Sequence, residues 1–573
     1  MEKRWVNKPH PSIDIVARLI EEISVSRPIA SILAQRGVRD FEAAKSFFRP
    51  SVDQLHDPFL MLNMAEAVNR IHEAIANSEN ILVYGDYDVD GTTAVALVFQ
   101  YLTQEYEQVG YYIPDRYAEG YGISRQGVDF AIDNSFSLVI ALDCGIKAIE
   151  QIDYAKENGV DFIVCDHHTP AEVLPNAIIL NPKQEDCPYP FKELSGCGVG
   201  FKLVQGLAQI AEREFDELLP LLDLVVVSIG ADMVSVLGEN RVLAYLGLEV
   251  LKLNPRIGFS ELLRLSQNQA PLNISTVVFS IAPRINAAGR IASGNKAVEL
   301  LLAESWDEVE SISKEINAHN ETRKGLDKSI TEEALQQIEK DEWLLNAKST
   351  VVYNAEWHKG VVGIVASRLI ESHYRPTVVL TESQGELVGS ARSVKGFNVY
   401  DAIAASADLL TRFGGHAYAA GLSLPKDNLT AFKMRFNAYV EEHITKEQLT
   451  PEVEIDADIE FRDIFGSQIG GIPKFYRVLK QIAPFGPENL NPVFKTTQVY
   501  DAGYAKVLKD EHLKMQVYQK EYPEIRIDAI GFGMAHLYKE IKDQPFDLVY
   551  SIAENAWQGR TQLQLMIKDI RLR

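Results

Sequence analysis

Three carboxylates alternate in the segment Gly85-Asp86-Tyr87-Asp88-Val89-Asp90-Gly91-Thr92-Thr93. Side chains at i and i+2 of an extended segment share a side, so Asp86, Asp88 and Asp90 are expected to converge, with Gly91 permitting the turn that follows. Unneutralised, they would raise one another's pKa, and a divalent cation removes that repulsion. Further ligand types stand at comparable places. Asp143 follows the apolar run 138–142, and Asp166-His167-His168 follows the run 162–165. Carboxylates mixed with imidazole suit Mn²⁺, whereas an all-oxygen site favours Mg²⁺ or Ca²⁺.

Two other readings compete for the first segment. Taken alone, it passes for a solvated acidic turn. Asp88-Val89-Asp90-Gly91-Thr92 also fits the nucleophile loop of haloacid-dehalogenase-type phosphatases, in which the first Asp attacks phosphorus. That chemistry needs a lysine and a downstream acidic pair, and it leaves Asp166-His167-His168 without a role.

The elements that must position these groups are legible as βα units. Apolar runs of strand length occur at 80–84, 109–113, 138–142, 162–165 and 177–180, with helical patterns such as 92–104 and 146–158 between them. Short apolar strands alternating with helices imply a mostly parallel sheet covered on both faces, with ligands beyond the carboxyl ends of its strands. Residues 199–250 read as helices. The charged stretch 308–340 reads as one long exposed helix, and 348–445 as a second α/β pattern. From about 450 the chain turns to short alternating strands at 493–499, 513–518, 526–530, 548–552 and 561–570, the pattern of a small β-barrel or sandwich.

Composition sets the limits. At 573 residues the chain predicts three or four domains, and 46% hydrophobic residues suffice for several cores. No apolar stretch approaches a membrane span, and residues 1–30 lack a signal-peptide core, so no membrane role and a cytoplasmic address are expected. Cys144, Cys165, Cys187 and Cys197 form no CxxC pair and read as buried thiols. A net charge of −23 weighs weakly against nucleic-acid binding, since phosphate contacts depend on local charge.

Asp166-His167-His168, with Asp88 and Asp90 upstream and Asp143 between, resembles the signature of the DHH/DHHA1 phosphoesterase superfamily. Within it the chain is most similar to the bacterial single-strand-specific 5′→3′ DNA exonucleases. Eight ordered blocks carry the resemblance: 112–122 (YIPDRYAEGYG), 195–202 (SGCGVGFK), 229–234 (IGADMV), 283–290 (PRINAAGR), 357–368 (WHKGVVGIVASR), 389–398 (GSARSVKGFN), 413–421 (FGGHAYAAG) and 484–494 (PFGPENLNPVF). The resemblance implies a parallel-sheet DHH domain over 1–305 with an N-terminal helical extension and a connecting helix over 306–345. It further implies a smaller α/β DHHA1 domain over 346–448 and an OB-fold-like β-barrel over 449–573, with a cleft between the first two lobes.

The resemblance also implies two divalent cations, Mn²⁺ preferred and Mg²⁺ second. One corresponds to Asp90, Asp143, His167 and Asp232, the other to Asp88 and Asp143. Smaller relatives carry a histidine four residues before the first Asp of the DxD pair. This chain has Tyr84 there, and Asp86 is the substitute. Asp232 is chosen over Asp223 for its Gly-Ala-Asp-Met context. A pair of cations about 3.5–4 Å apart, bridged by Asp143, would activate a water for in-line attack on phosphorus. The 3′ oxygen of the departing nucleotide leaves, giving 5′-mononucleotides, and His168 contacts the phosphate or protonates that oxygen. Arg284, Arg290, Ser390, Arg392 and His416 are expected to bind the 5′ phosphate or neighbouring backbone, with structural salt bridges as the plain alternative for the arginines. Arg116 and Tyr121 are placed along the strand path. The implied setting is DNA repair and recombination, with single-stranded DNA as substrate and a single-strand-binding protein and a helicase as partners. Two rivals stand beside this reading: a DHH enzyme for pyrophosphate, cyclic dinucleotides or short RNAs, and a non-catalytic replication scaffold.

Overall fold

A computed structural model describes residues 2–267, 271–291, 293–466, 471–542, 544–557 and 560–573. The chain divides into two compact units, one of Asn7–Asn317 with Glu454–Arg573, the other of Met1–Val6 with Ala318–Val453.

The first unit is built on a five-stranded parallel sheet. Its strands and main helices, in chain order, are β1 (Asn80–Gly85), α1 (Val89–Leu102), β2 (Val109–Tyr112), α2 (Arg125–Asp133), β3 (Phe136–Leu142), α3 (Ile149–Glu157), β4 (Asp161–Cys165), β5 (Ile178–Leu180), α4 (Gly196–Ile210) and α5 (Leu222–Asp232). The strand order is β2-β1-β3-β4-β5. Alternate residues of each strand bury on opposite faces: Ile81 and Val83 pack with α1, α4 and α5, whereas Leu82 and Tyr84 pack with α2 and α3. Burial on both faces is why these strands read as continuous apolar runs. Helix α6 (Gly238–Leu253) and, further on, α7 (Ala282–Ile291) extend the helical layer, and α8 (Trp306–Lys340) is one unbroken 35-residue helix.

The second unit carries a mixed sheet. Strands β6 (Thr350–Tyr353) and β7 (Thr377–Ser383) are parallel; β8 (Glu386–Arg392), β9 (Arg412–His416) and β10 (Ala419–Leu424) complete the order β9-β10-β8-β7-β6 with antiparallel pairs. Helix α9 (Val362–Ser372) covers one face together with Ile330, Ala334 and Ile338 of α8, and α10 (Leu429–His443) covers the other.

The C-terminal part of the first unit is a β-barrel. Strands β11 (Phe494–Asp501), β12 (His512–Gln519), β13 (Tyr522–Gly531), β14 (Phe546–Trp557) and β15 (Arg560–Leu572) follow the order β11-β14-β15-β13-β12, and a β11–β12 pairing closes the ring. Five closed strands are the OB arrangement. The N-terminal helices differ from expectation. Instead of extending the parallel-sheet domain, they send Leu19, Leu33 and Phe47 into the barrel's core beside Phe461, Leu479 and Phe494. Their amphipathic faces find apolar surface there that a small barrel cannot cover alone.

Candidate metal centre

Register brings the acidic groups together. Gly85 of β1 stands opposite Leu142 of β3, and Leu142 opposite Cys165 of β4, so Asp86, Asp143 and Asp166 leave the sheet at one rim. Backbone bonds continue past the strands, from the Asp143 amide to Cys165 O at 2.9 Å and from the Asp166 amide to Leu180 O at 3.1 Å. The chain passes from β1 to β2 on one side and then crosses to β3 on the other. The rim is therefore the crevice where such sheets bind ligands.

The three alternating carboxylates converge by a different route from the one expected. They do not share one extended segment. Asp86 follows the last strand residue; Asp88 is the N-cap of α1, accepting the Gly91 amide at 3.0 Å; and Asp90 lies in the first helical turn. Capping started the helix three residues early, because a carboxylate at this position satisfies an amide that the helix leaves unpaired. A β-carbon at Gly91 would lie 2.4 Å from Asp86 O, so only glycine allows the turn to close.

Asp90 is held by the opposite element. Its carboxylate accepts the Gly196 and Cys197 amides, each at 2.7 Å, and the Ser228 hydroxyl at 2.6 Å. It thus sits at the N-terminus of α4, where the helix dipole favours negative charge. The fit is tight, since a β-carbon at Gly196 would stand 2.5 Å from Asp143 Cβ.

His167 completes the cluster. Its Nε2 lies 3.2 Å from Asp143 Oδ1, 3.6 Å from Asp232 Oδ2 and 3.7 Å from Asp90 Oδ2. The residue is 6% exposed, and neither ring nitrogen has a hydrogen-bond partner. Buried polar atoms are rarely left so. Two ligand triplets, Asp90–His167–Asp232 and Asp143–His167–His168, each keep their donor atoms within 4.8 Å of one another. Carboxylate and imidazole donors at this spacing fit a divalent cation, which would satisfy the orphaned ring and neutralise the acids.

The electrostatics agree. Burial, then the neighbouring acids, pushes Asp86, Asp88 and Asp143 above the usual carboxylate range, and Asp232 is pushed up to about 8 by burial, Asp90 and Asp88. Asp166 behaves oppositely. Burial would raise it, yet the His168 ring and the amides of His168 and Ile146 hold it at about 2. Asp166 Oδ1 lies 2.7 Å from His168 Nδ1, which leaves His168 Nε2 facing the Tyr121 hydroxyl at 3.1 Å. That ion pair outweighs burial and lifts the His168 pKa.

The other singled-out residues fall in several places. Tyr84 is no ligand, because its hydroxyl donates to Gly122 O and accepts the Ser124 amide, bracing the loop that carries Tyr121. Asp86 is buried behind it with Oδ1 unpartnered, and it lies outside both triplets, as does Asp88. Asp223 is paired through both oxygens with Arg256 at 2.8 and 2.9 Å. Arg116 stacks on Tyr87, between Asp86 and Asp88 in sequence, at 4.9 Å. Gly289 of α7 abuts the Tyr87 carbonyl, which brings Arg290 to the same loop, and Tyr117 donates to the Arg290 carbonyl. Arg284 differs. It is buried and donates to Ser280 O, Leu265 O and Asn317 Oδ1, hydrogen bonds to carbonyl and amide oxygens where the alternative raised from sequence was a salt bridge. In the second unit Arg392 Nη1 donates to Ser390 Oγ at 2.6 Å, and both crowd Gly363 in the first turn of α9. His416 lies in the same cross-strand row as Arg392, through Ala419. The sequence reading gave no role to Ser195, Ser228 or Asp166. A serine N-cap ahead of a helical run was the available signal for Ser195.

A parallel sheet that gathers these acids and imidazoles at its switch point, matched over 80–229 by the N-terminal domain of the DHH family, defines a DHH phosphoesterase. The DHHA1 domain matches 346–442, and the RecJ OB domain matches 455–569. The single-stranded-DNA-specific exonuclease RecJ of Bacillus subtilis is 37% identical over 99% of this chain and 70% of its own length. That of Escherichia coli is 32% identical over 94% and 95%. The crystal structure of RecJ from Thermus thermophilus in complex with Mn²⁺ matches with a TM-score of 0.83 at 27% identity, covering all of this chain and 80% of that one. The chain belongs to the RecJ family.

Proposed function

We propose that this chain degrades single-stranded DNA from its 5′ end to 5′-mononucleotides, using two divalent cations with Mn²⁺ preferred over Mg²⁺. The observation that carries the reading is the unpartnered His167 ring facing oxygens of Asp90, Asp143 and Asp232. Those four residues would hold one cation; Asp88 and Asp143, with Asp86, would hold the other. Bound there, the cations supply Lewis acidity toward a phosphoryl oxygen and a water that is nucleophilic at neutral pH.

The chain's own residues do the rest. Asp166 fixes His168 through Nδ1 and leaves Nε2 on the Tyr121 side, where it donates a proton to the departing 3′ oxygen. Tyr121, 58% exposed beside it, offers a ring for the terminal base. Arg116 and Arg290 bring positive charge to the acidic loop and draw in the strand's phosphates. In the second unit Ser390, Arg392 and the first turn of α9 form a cradle for a terminal phosphate, with His416 in the same row. Gly414 and Gly421 leave the neighbouring sheet surface bare for backbone approach. Arg284 is better read as a brace for α7. Domain boundaries near 305, 345 and 448 belong to this reading. Among the described residues no helix is long and apolar enough to cross a membrane. The reading places the chain in the cytoplasm, in DNA repair and recombination, with a single-strand-binding protein and a helicase as partners.

The test is digestion of labelled single- and double-stranded DNA with Mn²⁺, Mg²⁺ or EDTA. Mononucleotide release from single strands alone, fastest in Mn²⁺ and absent in EDTA, is the expected result. Equal digestion of duplex, or activity that survives EDTA, would contradict it.

A further inference from the structure

The block 484–494 marks the resemblance yet has no part in the chemistry above, and its contacts lead to the metal centre. Helix α5 ends on Asp232, and the chain leaves it through Met233 at φ +58°. That left-handed exit is usually made by glycine. A non-glycine residue persists there only where its surroundings over-determine it.

The surroundings are the turn 486–489. The Ser235 hydroxyl donates to the Glu488 carboxylate, and the Val236 amide donates to Pro487 O at 2.9 Å. A β-carbon at Gly486 would lie 2.4 Å from Val236 Cγ2, so the Val236 side chain packs directly on the Gly486 backbone. The turn is closed by reciprocal Gly486–Asn489 backbone bonds, and its Glu488 stands at φ +61°, another position that favours glycine. Buried Asn489 anchors it, donating to Ile482 O and Pro484 O and accepting from Arg36 Nε. Such a fully satisfied buried network is rigid.

We infer that Glu488 is a positioning residue for Asp232: by holding Ser235 it fixes the exit from α5 and so the carboxylate at the metal centre. The C-terminal domain would then help to hold the metal as well as form a barrel. The inference rests on the reading of Asp232 as a ligand. Loss of a group that orients a ligand commonly weakens metal binding about 10–100-fold.

The experiment is Mn²⁺ titration of the EDTA-stripped, full-length protein by calorimetry, paired with thermal melts. Glu488→Gly suits the left-handed backbone and removes the whole side chain, and with it the acceptor for Ser235, so it should weaken Mn²⁺ binding about tenfold while the metal-free melting temperature holds or rises. Glu488→Gln keeps an acceptor and should bind nearly as wild type. Ser235→Ala should weaken binding like Glu488→Gly, and the double variant no further. Wild-type affinity in Glu488→Gly overturns the inference, as does weakening that only tracks a fall in melting temperature. Asp232→Ala separates the two claims. If it weakens binding and Glu488→Gly does not, only the positioning role falls; if Asp232→Ala binds as wild type, the ligand reading fails and takes this inference with it.

Discussion

Asp166 and His167 are neighbours with opposite tasks. His167 faces the acids with both nitrogens unpartnered, while Asp166 turns away and holds His168 and three backbone amides. Asp166→Asn should therefore lower turnover on single-stranded DNA about 100-fold through loss of an oriented proton donor, with Mn²⁺ affinity changed far less. Single-turnover rates set beside Mn²⁺ titrations check the split; an equal loss in both would assign Asp166 to the metal instead. Asp143 and His167 were legible because each stands at the end of an apolar strand-length run. Tyr84 and Arg284 were not, because their roles depend on partners distant in sequence: the 122–124 loop for one, and the carbonyls of Ser280 and Leu265 for the other.

At the scale of elements, the site exists because two helix starts meet at the sheet's rim. One is capped by Asp88, and the other receives Asp90 on its free amides. Gly196→Ala places a methyl 2.5 Å from Asp143 Cβ, and should abolish detectable Mn²⁺ binding without unfolding the protein, as calorimetry and circular dichroism would show. The sequence placed the strands well, because apolar runs buried on both faces are unmistakable. It misplaced the start of α1, since local alternation of the acids masked a cap. It also could not say where the first 48 residues pack, because an amphipathic helix does not name its partner surface. Leu33→Ala, in that interface with the barrel, should destabilise the unit by about 2–5 kcal/mol in urea melts and leave Mn²⁺ affinity unchanged. Weakened Mn²⁺ binding would show instead that the N-terminal helices bear on the metal centre.

Over the whole molecule, a charge of −23 argued weakly against a nucleic-acid enzyme, but part of it is concentrated in one buried cluster that a cation would neutralise. The same cluster makes stability depend on pH. Without metal, Asp232 titrates near 8 in the folded chain, so the folded state holds a proton that the unfolded state has lost. Stability of the metal-free protein should then decline as pH rises from about 5 to 8. Bound Mn²⁺ removes that penalty, so the rise in melting temperature on adding Mn²⁺ should grow across the same range; a constant rise would contradict the raised carboxylates.

Metal-dependent removal of nucleotides from a 5′ end at the Asp143 site meets its most direct test in one assay. Single-stranded DNA labelled at its 5′ end is incubated in Mn²⁺ with wild-type protein or Asp143→Ala. Labelled mononucleotide is the first product expected of the wild type, with none from the variant above an EDTA control. Label retained on progressively shorter strands, or wild-type release by Asp143→Ala, would contradict it.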